Sequence, residues 1–223
     1  MTLVVVSSAG PNSIQDLGRH GHMHEGVPPG GAAVPSLLVA ANRAIGNRED
    51  APAIEVLGRL VLRDDRGEDH VIEAATWSYV AVRGEVMRPL LTTLLRKGDE
   101  IDGTTIHVAR AQREPTATVR VIPGPDLDAF AGDALATLLA TPYEVVMPAR
   151  IGARLRGTSL PRRPDLRERS RPMVRGAIEV PGDGQPIILG PDHPTTGGYP
   201  ILAVVASEDL ERVFGASRVR FTT

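Results

Sequence analysis

Cysteine is absent from the 223 residues, which excludes disulfides, thiolate catalysis and Cys-ligated zinc or iron–sulfur centres. Lysine is nearly absent: Lys97 is the one lysine among 25 basic residues, which face 27 acidic ones for a net charge of -2. Such a balance lacks the basic excess that draws a chain to nucleic acid or an anionic membrane, so neither partner is expected. No run of about 18 apolar residues occurs, and the N-terminus has no basic-then-apolar leader; a cytoplasmic location is expected. There is no P-loop, no Gly-x-Gly-x-x-Gly turn and no Gly-x-Ser-x-Gly elbow, so nucleotide binding by this chain alone is not expected. What remains is an ordinary globular balance, 42% hydrophobic and 23% charged. A chain of this size can bury roughly 70% of its extended surface without a metal or disulfide staple.

Glycine (23) and proline (19) punctuate many short segments. Runs rich in Val, Ile and Leu predict strands over residues 2–7, 54–63, 77–83, 104–109, 117–122, 143–147, 174–180, 186–189, 201–206 and 218–222. Several alternate with period two, as in Ile54, Val56, Leu60, Leu62 or Val119, Val121. Helical spacing predicts three helices. Residues 126–140 repeat apolar side chains at three- and four-residue steps, with Asp126 as the cap and Pro142 as the stop. Residues 36–45 place Leu37, Leu38, Ala41 and Ile45 on one stripe behind Pro35. Residues 207–214 begin with a capping serine, carry Glu208 and Asp209 at the positive end of the dipole, and meet Gly215. Three short helices among about ten strands predict a mainly β protein, without doubly wound strand–helix alternation.

The chain echoes itself. Val4–Val5–Val6 leads to Gly10–Pro11, and Val119–Arg120–Val121 leads to Gly124–Pro125. Ala53–Ile54–Glu55–Val56–Leu57–Gly58 is matched by Ala177–Ile178–Glu179–Val180–Pro181–Gly182. The shared order of these echoes predicts two related β units, 1–114 and 115–223, joined near Gln112–Pro115. The arginine- and proline-rich stretch 160–172 reads as an exposed loop of the second unit.

Three segments carry chemistry. The first begins Gln15–Asp16–Leu17–Gly18–Arg19 and continues through His20, His22 and His24 to Gly31, with glycines that allow tight turns or close ligand approach. On a strand the three histidines would share a face and suit a metal; solvated loop histidines are the plainer reading, and no metal is expected. The second runs from Gln185 to Pro200. It delivers Asp192 and His193 into a turn, followed by Thr195, Thr196, Gly197, Gly198 and Tyr199. These donors and acceptors suit a carboxylate or amide ligand, or else a β-turn whose threonines satisfy their own backbone. The third holds Arg150, Arg154 and Arg156. The last two would share a strand face and grip a carboxylate, or form a solvated face.

Gln15–Asp16–Leu17–Gly18–Arg19, then Gly26–Val27–Pro28, Ala40 with Asn42, Gly46–Asn47–x–Glu49–Asp50–Ala51 and Glu55–Val56, resemble the N-terminal signature of the biotin-dependent carboxyltransferase family. The family is also called allophanate hydrolase subunit 2 or KipA-like proteins, and it includes the C subunit of 5-oxoprolinase. Pro181–x–Asp183–Gly184–Gln185–Pro186–Ile187, Asp192 and Thr195–Thr196–Gly197–Gly198–Tyr199–Pro200 resemble its second signature. Val121–Ile122–Pro123–Gly124–Pro125 and Arg150–x–Gly152–x–Arg154–Leu155–x–Gly157 fit as well. The chain is shorter than the members it resembles, with the missing stretch around residues 64–113. Ala149, Ala153 and Glu179 stand where members often carry Asp, Tyr and Gln.

The resemblance implies two linked, cyclophilin-like β-barrel units. It implies a subunit of a carboxyltransferase- or amidohydrolase-type complex acting on a small amide or lactam, 5-oxoproline or a urea-like compound. The implied partner is a KipI-like protein (allophanate hydrolase subunit 1, or the B subunit of 5-oxoprolinase). Carboxybiotin or ATP would come through partner subunits, none being bound by this chain alone. Thr195, Thr196, Gly197, Gly198 and Tyr199 are expected to cradle the substrate, with Gln15, Arg19, Arg154 and Gln185 binding it. Asp192, His24 and Tyr199 are expected to serve catalysis. The alternative is a non-catalytic regulatory or binding subunit that sequesters the KipI-like partner.

Overall fold

The computed structural model describes residues 2–83, 93–102, 106–110, 115–164 and 168–223. The chain forms two compact units, residues 1–18 with 30–112, and residues 19–29 with 113–223. Of the junction expected near Gln112–Pro115, residues 112–114 lie outside the described ones. No helix among the described residues is long and apolar enough to cross a membrane.

Among the described residues the first unit is a seven-stranded antiparallel sheet with one helix. Its elements are β1 (Thr2–Ala9), β2 (Ser13–Gln15), α1 (Pro35–Ala44), β3 (Ala53–Arg63), β4 (Asp69–Val82), β5 (Thr93–Leu94), β6 (Glu100–Asp102) and β7 (Ile106–Arg110). The strand path is β5-β2-β3-β1-β6, with β4 pairing both β3 and β7. Long β3 organises the sheet because its alternating Ile54, Val56, Leu60 and Leu62 all enter the core with Leu3, Val5 and Ile14. At Gly58 its register against β4 shifts, and Gly10 and Gly58 meet there. A Cβ on Gly10 would lie 2.1 Å from the Leu57 carbonyl oxygen, and one on Gly58 2.3 Å from that of Ala9. Both have positive φ, +106° and +121°, a conformation and spacing that only glycine tolerates cheaply. The β3–β4 turn is tied by Asp64, whose carboxylate accepts the amides of Arg66 and Glu68, both at 2.9 Å. These bonds, that of Glu68 above all, hold its pKa down at about 2.

The second unit contains a closed barrel of seven strands. In chain order its elements are β8 (Ala117–Pro123), α2 (Ala134–Ala140), β9 (Tyr143–Pro148), β10 (Gly152–Arg156), β11 (Arg171–Pro172), β12 (Ala177–Glu179), β13 (Ile187–Leu189), β14 (Thr196–Gly197), β15 (Ile201–Val205), α3 (Leu210–Gly215) and β16 (Arg218–Thr222). The closed path is β10-β13-β12-β15-β8-β16-β9, and β11 and β14 form a separate two-stranded ribbon. Val119 and Val121 are buried as their alternation predicts, while Ile122, next to Val121, is exposed.

Four local expectations change. The helix expected over 126–140 is a single 3-10 turn at Leu127–Ala129 and then α2, capped by Asp133, which accepts the Ala136 amide at 2.8 Å. Asp126 makes no cap because its carboxylate is used elsewhere. Ser207 does not cap either; a 3-10 turn at Ser207–Asp209 leads into α3. Asp209 instead accepts the Arg120 amide at 2.8 Å and its guanidinium at 2.7 Å. The strand expected from 174 starts only at Ala177, after a turn at Gly176 with φ +85°. Finally, the 160–172 stretch is not simply exposed: Leu160 is fully buried, and Ala131 and Arg163 donate backbone bonds to Pro161 and Ala129, each 2.9 Å.

Candidate functional site

The Val121–Asp126 run leaves β8 and turns back across β15. Gly124 donates its amide to the Leu202 carbonyl at 2.8 Å. A Cβ there would sit 2.3 Å from the Ile201 carbonyl oxygen, so the close approach needs glycine. Asp126 then accepts the Ile201 amide at 2.8 Å and pairs with the Arg171 guanidinium. Arg171 begins β11, which pairs with β14 so that Arg171 opposes Gly197 and Pro172 opposes Thr196. Met173 donates its amide to the Thr195 carbonyl at 3.0 Å, and Val180 donates to that of Pro200 at 3.1 Å. Four sequence stretches are thereby stitched together: 121–126, 171–173, 177–180 and 195–201.

Within this assembly the Thr195 and Thr196 side chains have no hydrogen-bond partner among the described residues, and Thr196 and Tyr199 are exposed. Gly197 is fixed by Met173, whose Cε would lie 2.6 Å from an added Cβ. Glu179 ends β12 opposite Ile187 and Ile201. It is 8% exposed, and burial pushes its carboxyl above the ordinary 4.5. The sequence names Glu179 in the internal echo and as a departure from the resembled pattern, not as a site residue. The signal that finds it is its echo of Glu55, a buried carboxylate on β3.

The remaining expected site residues divide by what holds them. Asp192 receives two bonds from the Arg150 guanidinium, at 2.7 and 2.9 Å, and Arg150 is only 7% exposed. A carboxylate gripped at both oxygens by a guanidinium anchors its turn. Its neighbour His193 is fully buried, with Nδ1 2.8 Å from the Pro194 carbonyl oxygen. Gln185 imitates a strand neighbour: its Oε1 accepts the Gly157 amide at 2.9 Å and its Nε2 donates to the Gly157 carbonyl at 3.3 Å. Arg154 pairs with Asp183, which also accepts the Gln185 amide at 3.1 Å. Beside this trio lies a cleft of about 350 Å³ lined by Arg162, Arg163 and Asp183 among others. Gln15 is buried on β2, donating to Ser13 Oγ at 2.9 Å. Arg19 donates its amide to the Pro29 carbonyl at 2.8 Å. His24 is exposed on a single 3-10 turn, Met23–Glu25, 3.4 Å from Glu25, so the three histidines do not share a strand face. The structure thus unites Thr195, Thr196, Gly197, Gly198 and Tyr199 on one segment and Arg154 with Gln185 on another.

Residues 93–221 match the family described as carboxyltransferase domain, subdomain A and B. The chain is 26% identical to the C subunit of 5-oxoprolinase from Escherichia coli (strain K12), covering 93% of this chain and 86% of that protein. It is 25% identical to the corresponding 5-oxoprolinase protein of Haemophilus influenzae, over 89% and 82%. Among solved structures, that of TTHA0988 superposes with a TM-score of 0.75 at 25% identity, and this chain spans 56% of its length. Kluyveromyces lactis urea carboxylase shares the fold, with a TM-score of 0.79 at 20% identity, over 99% of this chain and 27% of that one. The matched stretch takes in the whole 121–201 assembly and more than half of the sequence, and the chain belongs to the carboxyltransferase-domain family, subdomain A and B.

Proposed function

We propose that the chain is a subunit of an enzyme complex of the 5-oxoprolinase or urea carboxylase type, acting on a small amide or lactam, with 5-oxoproline as the first candidate. The observation that carries this is the similarity, along nearly the whole chain, to two proteins that bear the name of the 5-oxoprolinase C subunit. One component of a multi-subunit enzyme implies companions. In this reading a KipI-like protein is the direct partner, and ATP or carboxybiotin reaches the reaction through partner subunits. The site is the 195–199 segment: the unpartnered Thr195 and Thr196 hydroxyls, the amides of Gly197 and Gly198, and the Tyr199 phenol supply donors. Donors fixed before reaction stabilise the oxyanion that forms when an amide carbonyl is attacked. Asp192 and Arg150 hold the turn that presents them.

A second reading is a regulatory subunit that binds the KipI-like partner without catalysis. It is favoured by Asp192, Arg154 and Gln185 each being engaged with groups of the chain itself. Co-purification with the KipI-like partner, followed by ATP hydrolysis with and without 5-oxoproline or urea, decides between the two. Substrate-stimulated hydrolysis supports the enzymatic reading; a stable complex that neither compound stimulates supports the regulatory one.

A further inference from the structure

The cleft of about 350 Å³ beside Asp183 and Gly184 lies outside the 195–199 segment. Backbone bonds build both of its walls. On one side Arg163 donates its amide to the Ala129 carbonyl and Ala131 donates to that of Pro161, each at 2.9 Å, while Arg162 bridges to Phe130 between them. On the other, Gly184 donates its amide to the Pro181 carbonyl at 3.0 Å, and its own carbonyl accepts the Leu160 amide at 2.9 Å. Gly184 has φ +74°, and a Cβ on it would lie 2.3 Å from Ser159 Oγ, so the glycine leaves that hydroxyl its place at the cleft. Walls held by main-chain bonds form the cleft before any ligand arrives.

The charges around the cleft leave one over. Arg162, its side chain 16% exposed, pairs with Glu168 at 2.7 Å. Asp183 pairs with Arg154. Each of these pairs is neutral in sum. Arg163 is exposed, and its guanidinium makes one bond among the described residues, 3.4 Å to the Asp128 carbonyl oxygen. That acceptor is neutral and the bond is longer than an ordinary N–H···O contact. The Ser159 hydroxyl lines the same cleft and bonds no described residue. The cleft therefore presents one unmatched positive charge, a planar fork of donors and one free hydroxyl. A guanidinium fork meets both oxygens of a carboxylate at once. A phosphate monoester carries about 1.5 to 2 negative charges, and its excess would face the Asp183 and Glu168 carboxylates. A monocarboxylate matches the charge count.

We propose that this cleft binds the carboxylate of a small monoanion, gripped by the Arg163 guanidinium and the Ser159 hydroxyl. The cleft adjoins the 195–199 segment through Glu168, which holds Arg162 on one side and on the other lies 3.8 Å, at its Cβ, from a Cβ placed on Gly198. The carboxylate has two sources: the lactam substrate itself, or a separate anion that binds as an effector. The first source rests on the amide or lactam reading above; the anion chemistry of the cleft stands on its own residues.

The test is calorimetric titration of the full chain with 5-oxoproline, with pyrrolidone (the same lactam without the carboxylate), with cyclopentanecarboxylate (a ring carboxylate without the amide) and with inorganic phosphate. It uses wild type, Arg163→Gln, Arg163→Lys and Ser159→Ala; both positions are exposed, and melting temperatures establish that the variants fold. Wild type binds both carboxylates, more weakly as salt is added. Arg163→Gln weakens both about tenfold. Arg163→Lys weakens them less, because it keeps the charge and loses the fork, and Ser159→Ala weakens them by the loss of one donor. Binding of 5-oxoproline about tenfold tighter than cyclopentanecarboxylate, with pyrrolidone bound equally by wild type and Arg163→Gln, identifies the substrate as the source. Equal affinity for the two carboxylates with no pyrrolidone binding identifies a separate anion. Undiminished carboxylate binding by Arg163→Gln, no binding of either carboxylate by wild type, or phosphate binding as tight as theirs overturns the proposal. ATP hydrolysis by the complex is scored with the same variants. Stimulation by 5-oxoproline without any Arg163-dependent binding overturns the cleft and leaves the enzymatic reading; Arg163-dependent binding without stimulation overturns the enzymatic reading and leaves the cleft.

Discussion

The Tyr79 hydroxyl donates to Glu55 Oε2 at 2.5 Å, deep in the first unit where both residues are fully buried. The same Glu55 oxygen accepts the Ala33 amide, and the Tyr79 oxygen accepts that of Val34 at 2.9 Å. The pair thus pins the glycine-rich chain to the sheet just before α1 begins at Pro35. Tyr79→Phe removes the donor to Glu55 and the acceptor for Val34. It is expected to cost on the order of 1–3 kcal/mol, as buried groups left unpaired do. Urea denaturation of wild type and variant checks this; a loss below about 0.5 kcal/mol would contradict it.

Glu179, the echo of Glu55, predicts the opposite sign. Its folded pKa is raised above the ordinary 4.5, so its contribution to stability is fully present below 4.5 and is lost as pH rises through the folded value. Glu179→Leu removes a largely buried acid whose carboxyl bonds no described residue. It is expected to raise the melting temperature near pH 8 and to flatten the decline in stability between pH 4.5 and the raised value. A lower melting temperature for Glu179→Leu at every pH would show that the carboxyl has a structural partner.

Thr195→Val combined with Thr196→Val separates ligand contact from folding. Their hydroxyls bond no described group, so each substitution is expected to cost roughly 0.5 kcal/mol or less in stability. If the hydroxyls orient substrate, the loss of turnover corresponds to about 2–4 kcal/mol of barrier. Melting temperature and turnover of the complex are read together. A large fall in melting temperature with turnover per folded molecule unchanged would reject the site.

Asp192→Asn probes the anchor. Arg150 is 7% exposed and Asp192's side chain 20%, and the substitution removes the negative charge that both guanidinium bonds reach. The expected cost is about 2–3 kcal/mol, below the roughly 3–5 kcal/mol of a fully buried pair because Asp192 retains some solvent. A double-mutant cycle with Arg150→Met checks the coupling; additive effects would show that the pair is not the source.

Strand content was legible because period two needs only local sequence: Ile54, Val56, Leu60 and Leu62 enter the core as their spacing dictates. Of the stripe expected on α1, Leu38 and Ala41 are buried together with Asn42, while Leu37 is half-buried and Ile45 lies just past the helix. The Asp126 cap was misread because its carboxylate has a better distant partner. Asp126 lies 75 residues from Ile201, and no local rule ranks such a bond against a cap. The ribbon β11–β14 was illegible for the same reason: two residues on each side, Arg171–Pro172 and Thr196–Gly197, pair only because the chain returns there. For the site, the polar 195–199 segment stood out by composition. The burial of Glu179 did not, since Ile187 and Ile201 come to lie opposite it from separate strands.

The most direct measurement is an add-back titration. The KipI-like partner and its companion subunits are held fixed, this chain is added stepwise, and glutamate released from 5-oxoproline in the presence of ATP is quantified. The account predicts no release without the chain, none from the chain alone, and a saturable rise that plateaus at a fixed subunit ratio. Release at full rate without this chain, or release by this chain alone, would contradict its role as an obligatory partner-dependent subunit.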